Sequence, residues 1–355
     1  MAEKQQQHHV ETELGFAEEC SNKALLSPFL FPSKLGGKPV WLRWDTFPSQ
    51  EMLMCGVCSN QMRFLCQLYV PHTLKGIQYH KTIYLFCCGN GPCSKNKMFV
   101  KALRSQKEDS DNDISNFEKL SDSELIEKAK LLTSKLPLCN LCGCYADKKC
   151  SLCQVLYCCK DHQIFDWKNG HKLNCSGNAK LMNGKKSVCK TDQKSLLFDE
   201  YEIVTEPEPN EEKSKDDKAE KYKTYLEKKR GPQNVDAKLD ADLQKIDENS
   251  DEMFLKFKER IDREPEQIIR YSLGGQPLWV SAHNIPKSED IPSCSCGAKR
   301  RFEFQVLPQM INYLGLQTTV ESLDWGTLCV YTCTENCSEG HPYKEEFIWK
   351  QDFID

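Results

Sequence analysis

The sequence predicts a small α+β fold stabilised by zinc, in which a β-rich unit occurs twice and is split by an inserted Cys/His finger and a disordered charged linker. Three observations predict it. Twenty-one of the 355 residues are cysteine, and most of them stand in pairs separated by one to four residues. Two stretches of short apolar runs between turn residues, 25–104 and 251–355, match each other at a fixed offset. Between them lie a Cys/His-dense segment and then a run in which 25 of the 47 residues from Glu206 to Glu252 are charged.

Taken in order, residues 1–24 are polar and acidic, including a Gln5–His9 tract too short for a metal site, and are expected to form a disordered tail. The start has no apolar core of a secretory signal, and no apolar run reaches the ~18–20 residues of a membrane span. Cysteines in such a chain are read as thiolates under reducing conditions, hence as metal ligands rather than disulfides.

The first β half, 25–104, opens with a Gly36-Gly37 turn before Val40, Trp41 and Leu42, and continues in aromatic and β-branched runs at 62–70 and 82–87. Residues 105–136 read as an acidic loop followed by a helix, because Ser121 and Glu124 form a capping-box signal ahead of LIEKAKLLTSKL. The finger occupies 137–176, and the linker 177–250, whose charge leaves too little apolar surface to offset ordering entropy. Met253, Phe254, Phe257 and Ile261 then fall at helical spacing until Pro265. The second β half, 251–355, follows.

Within the finger, Cys139/Cys142, Cys150/Cys153, Cys158, His162, His171 and Cys175 are eight soft or borderline ligands within 37 residues, enough for two tetrahedral zinc ions. So short a segment cannot fold on packing alone, and ~10–16 kcal/mol per structural zinc would supply the difference. The pattern YC-x3-HQ-x2-DW-x3-HK-x2-C resembles a MYND finger. That resemblance implies interleaved sites, with Cys139, Cys142, Cys158 and His162 on one ion and Cys150, Cys153, His171 and Cys175 on the other. The sequence departs from most MYND fingers in having His at 162 and one more residue between Trp167 and His171. Fully ligated sites of this kind are structural and leave no position for substrate.

At an offset of 238, Gly36, Gly37, Pro39 and Trp41 fall on Gly274, Gly275, Pro277 and Trp279. Pro48, Cys58, Phe64 and Gln67 likewise fall on Pro286, Cys296, Phe302 and Gln305. Each half carries its own ligand set: Cys55, Cys58, Cys88 and Cys93, with Cys87 the rival of Cys88, and Cys294, Cys296, Cys333 and Cys337. One zinc in each half, in a ribbon-like site, is therefore expected. A half of this size is marginal alone, so the two are expected to dock into one composite β domain; independent beads are the alternative.

FPSKLGGKPVWL, Q67LYVP71, the finger, IIRYSLGGQPLWV, IPSCSCGAKRRFEFQVLPQ, Asp324-Trp325-Gly326 and EEFIWKQDF together resemble the programmed cell death 2 family. The resemblance implies a dedicated chaperone or adaptor. Such a protein binds a newly made small-subunit ribosomal protein of the universal S-five class and promotes small-subunit biogenesis, supporting proliferation and stem-cell maintenance in cytoplasm and nucleus. It also implies that the finger binds proline-containing peptides beside Gln163 and Trp167, although Trp167 could equally pack inside the finger. Acidic stretches at Glu108–Asp113 and Glu206–Asp217 could screen a basic client, or simply keep the chain soluble.

An enzyme is not expected, since no nucleotide loop, methyltransferase signature or open metal site is present. No membrane, small-molecule substrate or direct nucleic-acid contact is expected of a chain of net charge −4. The one compact basic cluster near an expected zinc site, Lys299–Arg301, is expected to face solvent. A MYND-type transcriptional co-repressor adaptor in cell-death regulation is the competing function.

Overall fold

The computed structural model describes residues 11–109, 117, 119–175, 196–209, 248–316 and 322–353. Its strands are β1 (Glu13–Glu18), β2 (Lys34–Leu35), β3 (Arg63–Tyr69), β4 (His72–Leu74), β5 (Ile77–Cys87) and β6 (Val100–Glu108), then β7 (Lys148–Lys149) and β8 (Leu156–Tyr157) in the finger. They continue with β9 (Tyr201–Pro207), β10 (Gln267–Tyr271), β11 (Arg300–Val306), β12 (Thr327–Cys333) and β13 (Tyr343–Gln351). The longer helices are α1 (Asp122–Lys135), α2 (Lys160–Asp166) and α3 (Glu248–Ile261).

Ten strands close into an antiparallel barrel in the order β3-β2-β9-β1-β10-β11-β12-β13-β6-β5, with β5 pairing back onto β3. Closure pairs each of these ten strands with a neighbour on both sides, through only two residues at β2, and β4 hangs from β5 as a short hairpin turned by Lys75 (φ 51°) and Gly76 (φ 81°). Such two-residue turns need positive φ at both positions, which Gly76 adopts without a Cβ clash.

Strands from both halves thus share one sheet. β6 meets β13, Tyr343 opposite Ser105 and Glu346 opposite Ala102. At the opposite seam β1 and β9 lie side by side between β2 and β10. Both sealing strands correct the sequence reading. β1 lies inside the expected disordered tail of residues 1–24, and β9 inside the expected disordered linker of residues 177–250. Their apolar residues, Leu14 with Phe16 and Ile203 with Val204, are diluted by acidic flanks, and Ile203 becomes buried only through partners far away in sequence. Of the expected linker 177–250, residues 177–195 and 210–247 lie outside the described residues, as does the Gln5–His9 tract, and 248–250 already belong to α3. β6 also runs through Glu108, four residues into the expected acidic loop.

The core fills the barrel with Trp325, Phe304, Leu85, Phe99 and Leu328, all fully buried. Helix α1 starts at the Ser121–Glu124 capping box. α3 ends at Ile261, ahead of Pro265, and sets Phe257 and Ile261 against Val280 and Leu307.

The finger packs on the first half. Trp41, in the loop after β2, is buried between Tyr84, Phe86 and Tyr343 and donates its indole Nε1–H to Gly143 O at 2.8 Å. Gln50 donates to Cys158 O, and Phe47 stacks on Tyr145. Finger and barrel share one apolar core.

Candidate metal centres and the finger groove

Each ligand set is built from a turn that presents two side chains in the same direction. In the first half Cys55 and Cys58 lie on a turn closed by Ser59 N–H donating to Cys55 O at 2.9 Å. In the finger Gly143 donates to Cys139 O and Gln154 to Cys150 O, and in the second half Gly297 donates to Cys294 O. The residue after the second cysteine is left-handed in all four: Ser59 (φ 59°), Gly143 (φ 72°), Gln154 (φ 66°) and Gly297 (φ 85°). That reversal sends the chain back across the knuckle and leaves both sulfurs on its open side. The strain is smallest at Gly143 and Gly297, which lack a Cβ.

Four clusters of ligand atoms, all within 4.8 Å of one another, occur among the described residues. They are Cys55, Cys58, Cys88 and Cys93; Cys139, Cys142, Cys158 and His162; Cys150, Cys153, His171 and Cys175; and Cys294, Cys296, Cys333 and Cys337. The two finger clusters are interleaved along the chain. At 87/88, the first-half cluster takes Cys88 and leaves Cys87 out. Cys87 is fully enclosed, and burial pushes its thiol up to about 12, as burial also raises Cys66 and Cys329. These three behave as small apolar side chains.

The spacing within the clusters discriminates between covalent and metal bridging. Sulfurs stand 3.5 Å apart for Cys58–Cys88 and Cys142–Cys158, 3.6 Å for Cys294–Cys337 and Cys296–Cys333, and 3.9 Å for Cys150–Cys175. A disulfide requires about 2.05 Å. A tetrahedral zinc with Zn–S near 2.3 Å places neighbouring sulfurs roughly 3.8 Å apart, and a sulfur and an imidazole nitrogen slightly closer. Cys158 to His162 Nδ1 is 3.2 Å and Cys153 to His171 Nε2 is 3.3 Å. Donor types and edge lengths fit zinc, and each set supplies four protein ligands.

Around the sulfurs, N–H donors favour the thiolate. Val57 N–H donates to Cys55 Sγ and Asn90 N–H to Cys88 Sγ, both at 3.4 Å, while Asn90 Nδ2 reaches Cys93 Sγ. At Cys150 burial raises the thiol, but the His171 ring and the Cys153 and Leu152 amides outweigh it and hold it down at about 6. Burial likewise opposes Cys294, yet the Cys296 amide and Cys337 bring it to about 7.

Gln163 and Trp167 line a 300 Å³ groove on the finger together with Leu152, Ile164, Lys168 and His171. Trp167 is half-buried against His171, with ring centroids 5.8 Å apart, so it both packs within the finger and presents a face to the groove.

The basic cluster corrects another expectation. Arg300 is not a solvated cation: its Nε donates to Glu346 Oε2 at 2.9 Å and its Nη1 to the carbonyls of Pro292 and Ser293. The backbone leading into the Cys294 knuckle is thereby tied to β13, a role that the run of three basic residues does not reveal.

This geometry defines a class: an antiparallel β-barrel protein with one metal-ligand cluster in each half of the barrel and two in an inserted finger. A family model for the N-terminal domain of programmed cell death protein 2 matches residues 11–122, and one for its C-terminal domain matches 251–352. The chain is 41% identical over 352 residues to Programmed cell death protein 2 of Bos taurus, covering 97% of each. It is 27% identical to Programmed cell death protein 2-like of Gallus gallus, over 90% of this chain and 89% of the relative. Over 97 residues, 24% of this chain and 23% of the relative, it is 34% identical to Probable 20S rRNA accumulation protein 4 of Schizosaccharomyces pombe. The chain belongs to the programmed cell death protein 2 family. No solved structure matches it. The two barrel clusters fall inside the matched domains, and the finger clusters lie between them.

Proposed function

We propose that this protein is a zinc-stabilised adaptor, without catalytic activity, that receives a newly synthesised small-subunit ribosomal protein of the universal S-five class and promotes small-subunit biogenesis. The observation that carries this reading is the kinship, within one family, to a relative named for rRNA accumulation. Zinc occupies the four clusters, because four thiolate or imidazole ligands at these spacings suit it and complete its shell. A complete shell leaves no place for a metal-bound substrate or water, which supports a binding role over a hydrolytic one. The inserted segment is a MYND finger with interleaved sites.

The two β halves derive from one duplicated unit. Gln67 and Gln305, at equivalent positions, each grip the loop 27 residues earlier through both ends of the amide. Gln67 Oε1 accepts from Val40 N and its Nε2 donates to Val40 O, and Gln305 does the same to Leu278, the residue equivalent to Val40. A register shift recurs after Phe64 and after Phe302.

The barrel would hold its client in a charge-screened state, since ribosomal proteins are basic and the chain is net acidic. The finger groove takes a proline-containing peptide against Gln163 and Trp167. The protein works in cytoplasm and nucleus; among the described residues no helix is long and apolar enough to cross a membrane.

Affinity capture of the tagged full chain from growing cells tests the reading. One small-subunit ribosomal protein in near-stoichiometric amount is expected, with capture weakened by salt. Recovery of chromatin co-repressors in its place would transfer the function to transcriptional adaptation. Trp167→Ala is expected to keep all four ions while losing finger-bound partners; unchanged partners would remove the groove from the proposal.

A further inference from the structure

The second barrel cluster is braced by a residue of the other half. Arg104, on β6, is 1% exposed. Its Nε donates to Glu346 Oε1 at 2.7 Å, its Nη1 to Gln106 Oε1 at 2.8 Å, and its Nη2 to Cys337 O at 3.1 Å and Cys337 Sγ at 3.7 Å. Gln106 in turn donates to Asn336 O at 2.6 Å. Glu346 also accepts from Arg300, whose Nη1 holds the two carbonyls just before Cys294 and whose Nη2 donates to Glu345 O. One buried carboxylate therefore organises two arginines, each gripping one end of the four-cysteine set.

The charges explain why this arrangement is tolerated. Two guanidinium groups and one carboxylate leave one positive charge in a desolvated place, which is costly without an anionic neighbour. Four thiolates around a divalent ion carry two negative charges, and that anion lies within hydrogen-bond reach of Arg104. With thiols and no ion, the extra positive charge loses its counterpart. Binding of the ion and burial of Arg104 must then favour one another by the same factor.

We propose that Arg104 is a positioning residue of the Cys294–Cys337 metal centre, so that the ion there fastens the two halves of the barrel across the β6–β13 seam. The inference rests on the zinc reading of that cluster. Outer partners of metal ligands typically change affinity by about 10–100-fold, and Arg104 is expected to fall in that range.

The test counts zinc on the full-length chain by native mass spectrometry during a chelator titration, with alkylation mapping which cysteines are released. Arg104→Gln leaves Glu346 paired with Arg300, so the remaining buried charges balance. It is expected to yield one of four ions at about 10–100-fold lower chelator concentration, with Cys294, Cys296, Cys333 and Cys337 alkylated first. Arg104→Lys, which keeps the charge but loses the fork, is expected to give a smaller shift at the same cluster. Lys34→Met, at another buried ion pair, where the ammonium is held by Glu200 and the Lys38 carbonyl, is expected to keep the wild-type release profile. Wild-type release at the Cys294 cluster in either Arg104 variant, or a parallel loss in Lys34→Met, would overturn the assignment. A wild-type chain without an ion at that cluster would instead remove the zinc reading beneath it.

Discussion

Trp41 and Trp279 stand at the same point of the two halves and have different surroundings. Trp41 is 3% exposed, enclosed by Tyr84, Phe86 and Tyr343, and hydrogen-bonded to the finger through Gly143. Trp279 is half-buried in a small outer cluster with Phe347 and Trp349. The ligand clusters differ in parallel: amides serve both, those of Val57 and Asn90 in the first and of Cys296 in the second, but the second also receives the guanidinium of Arg104. The parts that recur, the Gln67/Gln305 grip and the register shift, shape the strands, whereas the parts that diverge decide what each half docks against. One half serves as the platform for the finger, and the other carries an exposed ligand, Cys296, and the site reached by Arg104.

The largest expected effect comes from removing metal altogether. Stripping zinc with a strong chelator under reducing conditions should unfold barrel and finger together, since each structural zinc contributes on the order of 10–16 kcal/mol in small domains. Near-ultraviolet circular dichroism and calorimetry would follow it. Survival of one half with its tertiary signal intact would break the picture of a shared barrel.

Next in size, Trp41→Ala should cost about 3–5 kcal/mol by the usual scale for a buried aromatic. It should also make the finger accessible to protease. Trp279→Ala, losing a half-buried ring and no finger contact, should cost less than half as much in denaturant melts. Equal costs would mean that finger docking is not what distinguishes the two sites.

Smaller and symmetric effects are expected at the two glutamines. Gln67→Ala takes a partner from the half-buried Val40 N–H and from the Pro32 carbonyl, and Gln305→Ala takes one from each backbone group of Leu278; each should cost about 1–3 kcal/mol, and the two should agree within about 0.5 kcal/mol, roughly the scatter of independent sites. Smallest of all, Cys87→Ala should keep four ions and cost about 1 kcal/mol, while Cys88→Ser should lose one ion by mass.

The sequence made the ligand spacing, the offset of 238, the capping box at Ser121 and the end of α3 before Pro265 readable, because each depends on residues close together or on rare residue types. It left the choice between Cys87 and Cys88 open, since adjacent positions on a strand differ only in which face they point to. The strands β1 and β9 were hidden for another reason. ELGFAE and YEIVTEP alternate too briefly amid acidic neighbours, and the glycine at 15, which reads as a strand breaker, is there because a Cβ would meet Ile269 and Ile203. Arg300 read as a solvent cation because its partner, Glu346, is 46 residues away.

Elemental analysis and native mass spectrometry of the full chain, purified under reducing conditions without added metal, test the central claim most directly. Four zinc ions per chain, released together with the tertiary fold, are what the geometry predicts. A folded barrel carrying no ion, or sulfurs joined as disulfides, would contradict it.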